Sequence, residues 1–156
     1  MCHFESFLVA EVDGHPAAAL CGFDMRAGGW ARVGEAMAKV ERDLDWTDAD
    51  ATASRRRSAP AWQCFFEDIG ADWGIENVAT LPQFRRRGLA GKLLQATLDD
   101  AKERGCKLAQ IATFIGNLAA QSVYRRCGFA VSDEKRCVEV AAALDVPGFV
   151  RLIRAI

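Results

Sequence analysis

Histidine is nearly absent from this chain of 156 residues, with only His3 and His15 present, and the six cysteines (Cys2, Cys21, Cys64, Cys106, Cys127, Cys137) include no Cys-x-x-Cys pair. A structural or catalytic metal needs clustered ligands at short spacings, so no metal site is expected. The scattered cysteines read as separate thiols, buried or half-buried, rather than as a disulfide framework. Long apolar runs are also missing. None approaches the roughly 18 residues of a membrane span, and Met1-Cys2-His3-Phe4-Glu5 lacks the basic-then-apolar order of a signal peptide. These absences point to a cytoplasmic protein with no membrane partner. No repeat, low-complexity tract or linker breaks the sequence, so residues 1–156 are expected to form a single domain.

Charge is nearly balanced at −1 but unevenly spread. Between residues 82 and 126 nine Lys/Arg face three acids, whereas between 30 and 76 ten acids face six bases. A basic half suits a phosphorylated ligand, and an acidic half suits a cationic one. The acidic half argues against the broad basic face of a nucleic-acid binder.

Hydrophobic patterning gives a mixed order of elements. Residues 7–12 and 17–23 read as strands joined by the turn Asp13-Gly14-His15-Pro16. From Trp30 to Leu44 the pattern becomes helical, with Val33, Met37, Val40 and Leu44 on one face, and Thr47 with Asp50 caps a second helix expected to end before Pro60. A strand follows over residues 75–81, then a helix from Gly88 carrying Leu89, Leu93, Leu94, Leu98 and Ala101 on one face up to Arg104-Gly105. Residues 107–115 read as a buried strand, Asn117 as the cap of a helix that Gly128 ends, and about 129–144 and 149–154 as two closing strands. All four tryptophans (Trp30, Trp46, Trp62, Trp73) and Phe65 and Phe66 fall in the acidic half, where core packing accounts for most of them, although aromatic rings also attract ammonium groups.

The most informative segment is Arg85-Arg86-Arg87-Gly88-Leu89-Ala90, which lies between a strand and the start of an amphipathic helix. Unpaired N–H groups and a positive macrodipole favour an anion there, and the small residues let a phosphate approach the main chain. Neither the P-loop nor the dinucleotide-binding spacing occurs. Arg85-x-x-Gly88-x-Ala90 instead resembles the acetyl-coenzyme A signature of the GNAT superfamily of N-acetyltransferases. The segment from Gly116-Asn117 to Gly128-Phe129 is similar to that superfamily's Asn-x-x-Ala-x-x-x-Tyr-x-x-x-Gly-Phe element.

The resemblance implies an α/β (mixed α+β) fold with a mostly antiparallel central sheet, splayed central strands and flanking helices. In the superfamily a strand and one or two helices usually precede the hairpin. Here that layer is missing or replaced by the helical segment after the hairpin: either residues 27–66 supply the covering helices, or another subunit completes the sheet edge in a homodimer.

The resemblance further implies acetyl-coenzyme A as donor. Val78, Ala79 and Thr80 would run beside its pantetheine arm, with the main chain of Val78 and Thr80 pairing with its amides. The backbone of Arg86, Arg87, Gly88, Leu89, Ala90 and Gly91 would take the pyrophosphate, with Arg85, Arg87 and Lys92 adding charge. Asn117, Ala120 and Tyr124 share one helix face, and Ala120 leaves room for the cofactor. Tyr124, the only tyrosine, is the candidate acid for the departing thiolate, because a phenol of pKa near 10 keeps its proton at neutral pH. Glu76 is the candidate base, with Glu67, Asp68 and Asp72 as further candidates. The expected reaction is direct acetyl transfer to a primary amine, on a small molecule or a peptide N-terminus, without a covalent intermediate on Cys127. The competing reading is an acyl-coenzyme A binding or sensing module. The Arg55-Arg56-Arg57 run is expected to be solvent-exposed.

Overall fold

In the computed structural model, residues 4–27, 29–64 and 66–156 are described. Phe65, and the side chains of Trp30 and Val33, lie outside the described residues. β1 (Phe7–Val12) and β2 (His15–Asp24) form the expected antiparallel hairpin, from Phe7↔Cys21 to Val12↔His15. Asp13 and Gly14 take φ of 53° and 75°, the paired left-handed residues of a tight turn whose twist matches that of the strands.

α1 (Gly29–Asp43) and α2 (Asp48–Gln63) fill the connection from β2 to β3, so a helical layer does follow the hairpin. Thr47 and Asp50 cap α2 reciprocally: the Thr47 N–H donates to Asp50 Oδ2 at 2.9 Å and the Asp50 N–H to Thr47 Oγ1 at 3.3 Å. Two expectations fail here. α2 continues through Pro60 to Gln63, because a proline removes one N–H and strains one turn without having to end the helix. Met37, Val40 and Leu44 do not face the core but are 42%, 43% and 58% exposed. Periodicity identified the helix, but the apolar face of the sheet is filled by later helices.

The remaining elements are β3 (Trp73–Thr80), α3 (Leu89–Glu103), β4 (Leu108–Phe114), α4 (Leu118–Arg126), β5 (Ala130–Arg136), α5 (Val138–Leu144) and β6 (Gly148–Ala155). The sheet runs β1-β2-β3-β4-β6-β5, antiparallel except where β3 meets β4. The long closing strand expected over 129–144 is therefore a strand followed by a helix. Val138-Glu139-Val140 mimics strand alternation, but Ala141 to Ala143 favour helix and Val140 is buried.

α3 and α4 cover one face of the sheet. Leu93, Leu94, Leu98 and Ala101 pack there with Leu20, Ile75, Ile111, Tyr124, Phe129 and Leu152. Gly22 permits the close approach of α3, since a Cβ on it would lie 2.0 Å from Thr97 Oγ1. Thr97 in turn accepts the Trp73 indole N–H at 3.1 Å. At the other end of the sheet order β1 is an edge strand, with Leu8 and Val9 37% and 52% exposed.

Cys64 and Cys137 form a disulfide, with Cα atoms 5.9 Å apart, which corrects the reading of six separate thiols. The two are 73 residues apart in sequence. No local spacing could announce the pair; the packing of α2 on α5 brings it together. Among the described residues no helix is long and apolar enough to cross a membrane.

Candidate functional site

β3 and β4 pair only through Trp73↔Ala109, Gly74↔Gln110 and Ile75↔Ile111, then part. A β-bulge accompanies the parting. Between Cys21↔Glu76 and Ala19↔Ala79, Leu20 of β2 faces both Asn77 and Val78 of β3, and Asn77 has φ 54°. A bulge bends and twists its strand, and asparagine tolerates the left-handed conformation better than most residues. The sequence signal was an asparagine in mid-strand, where asparagine is depleted.

Beyond the bulge, β3 has an edge that faces the gap. The Leu81 N–H donates to the Ala17 carbonyl on β2 at 2.9 Å. By alternation the main chain of Ala79 faces β2, while that of Val78 and Thr80 faces the gap. The Thr80 carbonyl accepts from Arg85 Nε at 3.3 Å, which ties the loop to the end of the strand.

That loop leads into α3. Arg86 and Gly88 take φ of 62° and 74°, and Gly88 is the N-cap with no side-chain hydrogen bond to the helix. The first intrahelical bond is from the Lys92 N–H to the Gly88 carbonyl, at 3.1 Å. The N–H groups of Leu89, Ala90 and Gly91 therefore lie at an uncapped, positive helix end. No atom comes within 4 Å of the place a Gly88 Cβ would take. Glycine is needed here for its backbone conformation, and the space beside it is open. The three arginines differ in role: Arg85 holds Thr80, Arg87 stacks over the Phe84 ring at 5.3 Å, and Arg86 supplies the left-handed step.

α4 begins on the other side of the gap, after β4. Asn117 Oδ1 accepts the Ala120 N–H at 3.2 Å, and Asn117 Nδ2 donates to Thr113 Oγ1 at 3.1 Å. Its side chain thus caps α4 and binds it to the end of β4. On the same helix face Tyr124 is buried, with its ring 6.5 Å from that of Phe129. Desolvation pushes its phenol up to about 12. Its hydroxyl makes no hydrogen bond among the described residues, and no fully buried side-chain polar atom there lacks one. The hydroxyl is therefore not fully buried. Cys127 is half-buried and its thiol is pushed up by desolvation, which disfavours a nucleophilic thiolate.

The acidic candidates are not equivalent. Asp72 Oδ2 accepts the N–H groups of Lys107 and Leu108 at 2.6 and 3.1 Å, so this carboxylate fastens the closed end of the strand pair and is not a base in the gap. Asp68 Oδ1 accepts the Gly70 N–H at 2.8 Å within its own turn. Glu76 is exposed, on β3 where the strands part. Sequence reasoning overlooked Arg151, although a charged residue inside Phe149-Val150-Arg151-Leu152-Ile153 was the signal. It is buried, donating to Asp133 Oδ2 at 2.5 Å and to the Glu67 carbonyl at 2.6 Å, with its guanidinium 4.9 Å from the Phe66 ring centre.

Residues 2–129 match the family model described as the acetyltransferase (GNAT) family. The chain belongs to the GNAT acetyltransferase family. It is 42% identical over 55 residues to N-alpha-acetyltransferase 30 of Schizosaccharomyces pombe, a match that spans 35% of this chain and only 37% of that protein. An N-acetyltransferase from Staphylococcus aureus Mu50 superposes with a TM-score of 0.63 at 21% identity, over 97% of this chain and 71% of the other. A GNAT family acetyltransferase from Elizabethkingia anophelis with acetyl-CoA bound gives 0.57 at 13% identity, over 96% and 75%. These structural likenesses show the GNAT fold: a six-stranded mixed sheet flanked by helices.

Proposed function

We propose that this GNAT protein transfers an acetyl group from acetyl-coenzyme A to a primary amine by direct attack in a ternary complex. What supports this reading is the order of elements around the parting of β3 and β4: the uncapped N-terminus of α3 follows β3, and α4, which carries Tyr124, follows β4.

The residues fit the donor. The main chain of Arg86 to Gly91 would hold the pyrophosphate, as helix N-termini hold anions. The N–H and carbonyl groups of Val78, with the Thr80 N–H, would pair with the pantetheine amides as an added strand would, with Ala79 turned toward β2. Asn117 fixes α4 so that Ala120 faces the cofactor. When bound, acetyl-coenzyme A supplies an activated thioester.

The chain's own contribution is to manage protons. Burial pushes the Tyr124 phenol up to about 12, so it is protonated at neutral pH and its Oη would supply a proton to the departing thiolate as the amine displaces it. Glu76 takes the proton that the amine must lose, directly or through water. The acceptor is an amine on a small molecule or at a peptide N-terminus, and the acidic segment before β3 favours a cationic one.

We place this work in the cytoplasm, where the Cys64–Cys137 bond would persist only against a reducing thiol pool. The exposed edge of β1 suits pairing with a second copy in a homodimer. Release of free thiol from acetyl-coenzyme A across a panel of amines tests the reading. Amine-dependent release supports it; cofactor binding without release for any amine turns the protein into the competing acyl-coenzyme A sensor.

A further inference from the structure

One row of residues crosses the sheet on the face opposite α3 and α4. Ile75, Ile111 and Leu152 belong to the core on the α3 side and lie in register across β3, β4 and β6. Their sequence neighbours Glu76, Ala112 and Arg151 therefore face the other way. Ala112 pairs with Arg151, and Arg151 with Asp133 of β5. Glu76 and Ala112 are exposed whereas Arg151 is buried. With strands about 4.8 Å apart, Glu76 and Arg151 stand on the order of 10 Å from each other across small Ala112, or further because the strands part. The exposed Glu76 and Ala112 leave that end of the row accessible.

Phe66 and Glu67 meet Arg151 at the far end of that row, and two clamps hold them. Arg151 donates to the Glu67 carbonyl and lies over the Phe66 ring, while Asp133 fixes the guanidinium from behind. Two residues before Phe66, the Cys64–Cys137 disulfide ties the end of α2 to the start of α5. Among the described residues, α2 packs on α5, and Met37 and Val40 of α1 are exposed.

Resting on the proposed acetyl transfer, we propose that Arg151 is a positioning residue for the acceptor: together with the disulfide it fixes Phe66 and Glu67 at the opposite end of the row from Glu76, and releasing either clamp weakens acceptor binding without disturbing the donor end. The disulfide makes that binding sensitive to thiols. A dithiol reagent opens the Sγ–Sγ bond, leaving two protein thiols while the reagent becomes a cyclic disulfide.

The test uses the full chain with the best amine found. Arg151→Met keeps side-chain length and removes the fork of donors; Arg151→Lys restores charge alone. For Arg151→Met, and separately for dithiol-reduced wild type, the acceptor KM should rise about tenfold with kcat within about twofold, and the acetyl-coenzyme A melting shift should stay constant. Arg151→Lys should recover part of the loss. A second readout needs no turnover: trypsin should cut at the exposed Arg55, Arg56 and Arg57 of α2 faster once either clamp is released. Unchanged KM and unchanged cleavage in both arms would overturn the proposal, as would a Lys variant indistinguishable from Met. If Arg151→Met fails to fold, reduction and Arg151→Lys decide. Absence of turnover in wild type overturns the acetyl-transfer reading and this role with it, whereas turnover with an unshifted KM overturns the role alone.

Discussion

The carboxylate of Asp72 accepts the backbone N–H of Lys107 at 2.6 Å, and that of Leu108 at 3.1 Å, just below the point where β3 and β4 begin to pair. The parallel pairing is only three residues long, so its closed end needs this support. Asp72→Ala leaves two N–H groups without their acceptor. Bonds to a charged group contribute about 1.5–3 kcal/mol each when buried, and discounting for the half-exposed site gives about 2 kcal/mol in all. At roughly 2–4 °C per kcal/mol for a chain of this size, the melting temperature should fall by about 4–8 °C. Asp72→Asn, which keeps an acceptor oxygen, should lose less. Calorimetry of both variants checks the order; equal melting temperatures for Ala and wild type would remove the fastening role.

Gly88 separates conformation from space. A side chain there meets no protein atom within 4 Å but must adopt φ 74°. Gly88→Ala should therefore cost about 1 kcal/mol through backbone strain and still bind acetyl-coenzyme A. Gly88→Glu should fold with a similar penalty and yet lose the cofactor-induced melting shift, because a carboxylate would occupy the anion's place. An undiminished shift in folded Gly88→Glu would move the pyrophosphate away from this loop.

Tyr124→Phe removes only a hydroxyl. With the ring still packed near Phe129, acetyl-coenzyme A affinity should hold while turnover falls about 10²-fold, the lower end for general acid catalysis. The pH dependence has a definite sign. The phenol ordinarily titrates near 10 and is pushed up to about 12 by burial in the fold, so the stability this burial carries is complete below about pH 10 and is lost as pH rises toward 12. Any alkaline fall in rate between pH 8 and about 10 should then persist unchanged in Tyr124→Phe. A pH–rate profile in which that limb disappears with the hydroxyl would contradict a proton held to 12.

Local signals made the hairpin, the caps and the strand-to-helix loop legible, and long-range ones hid the surroundings of Arg151. The hairpin turn Asp13-Gly14, the Thr47–Asp50 cap and the strand-to-helix loop at Gly88 are set by residues a few positions apart, and their spacing states the geometry. The Asn77 bulge needed its β2 partner, Leu20, to be seen as a bulge. Cys64 meets Cys137, and Glu67 meets Arg151, only after the sheet has closed with β6 between β4 and β5. Periodicity likewise could not tell which side the stripe of Met37, Val40 and Leu44 would turn to, because both faces of a covering helix were open possibilities. Val138 to Leu144 misled for a related reason: a single turn or two of helix carries too few residues for its period to outweigh a Val-Glu-Val alternation.

The acidic segment also divides once its hydrogen bonds are assigned. Asp72 is committed to the strand pair and Asp68 to the Gly70 N–H, so Glu67 and Glu76 are the two carboxylates whose proposed roles are compared. Glu67→Gln should raise the acceptor KM and weaken its salt dependence while leaving kcat alone, because it alters only the field that a cationic amine meets. Glu76→Gln should do the reverse. As a base it lowers kcat by about 10²-fold at neutral pH, and raising the pH should restore part of the rate as free amine replaces ammonium. Side-by-side pH–rate profiles of the two variants on one amine distinguish attraction from proton removal. If Glu76→Gln keeps its kcat across the whole range, the amine arrives already deprotonated and this carboxylate only steers it.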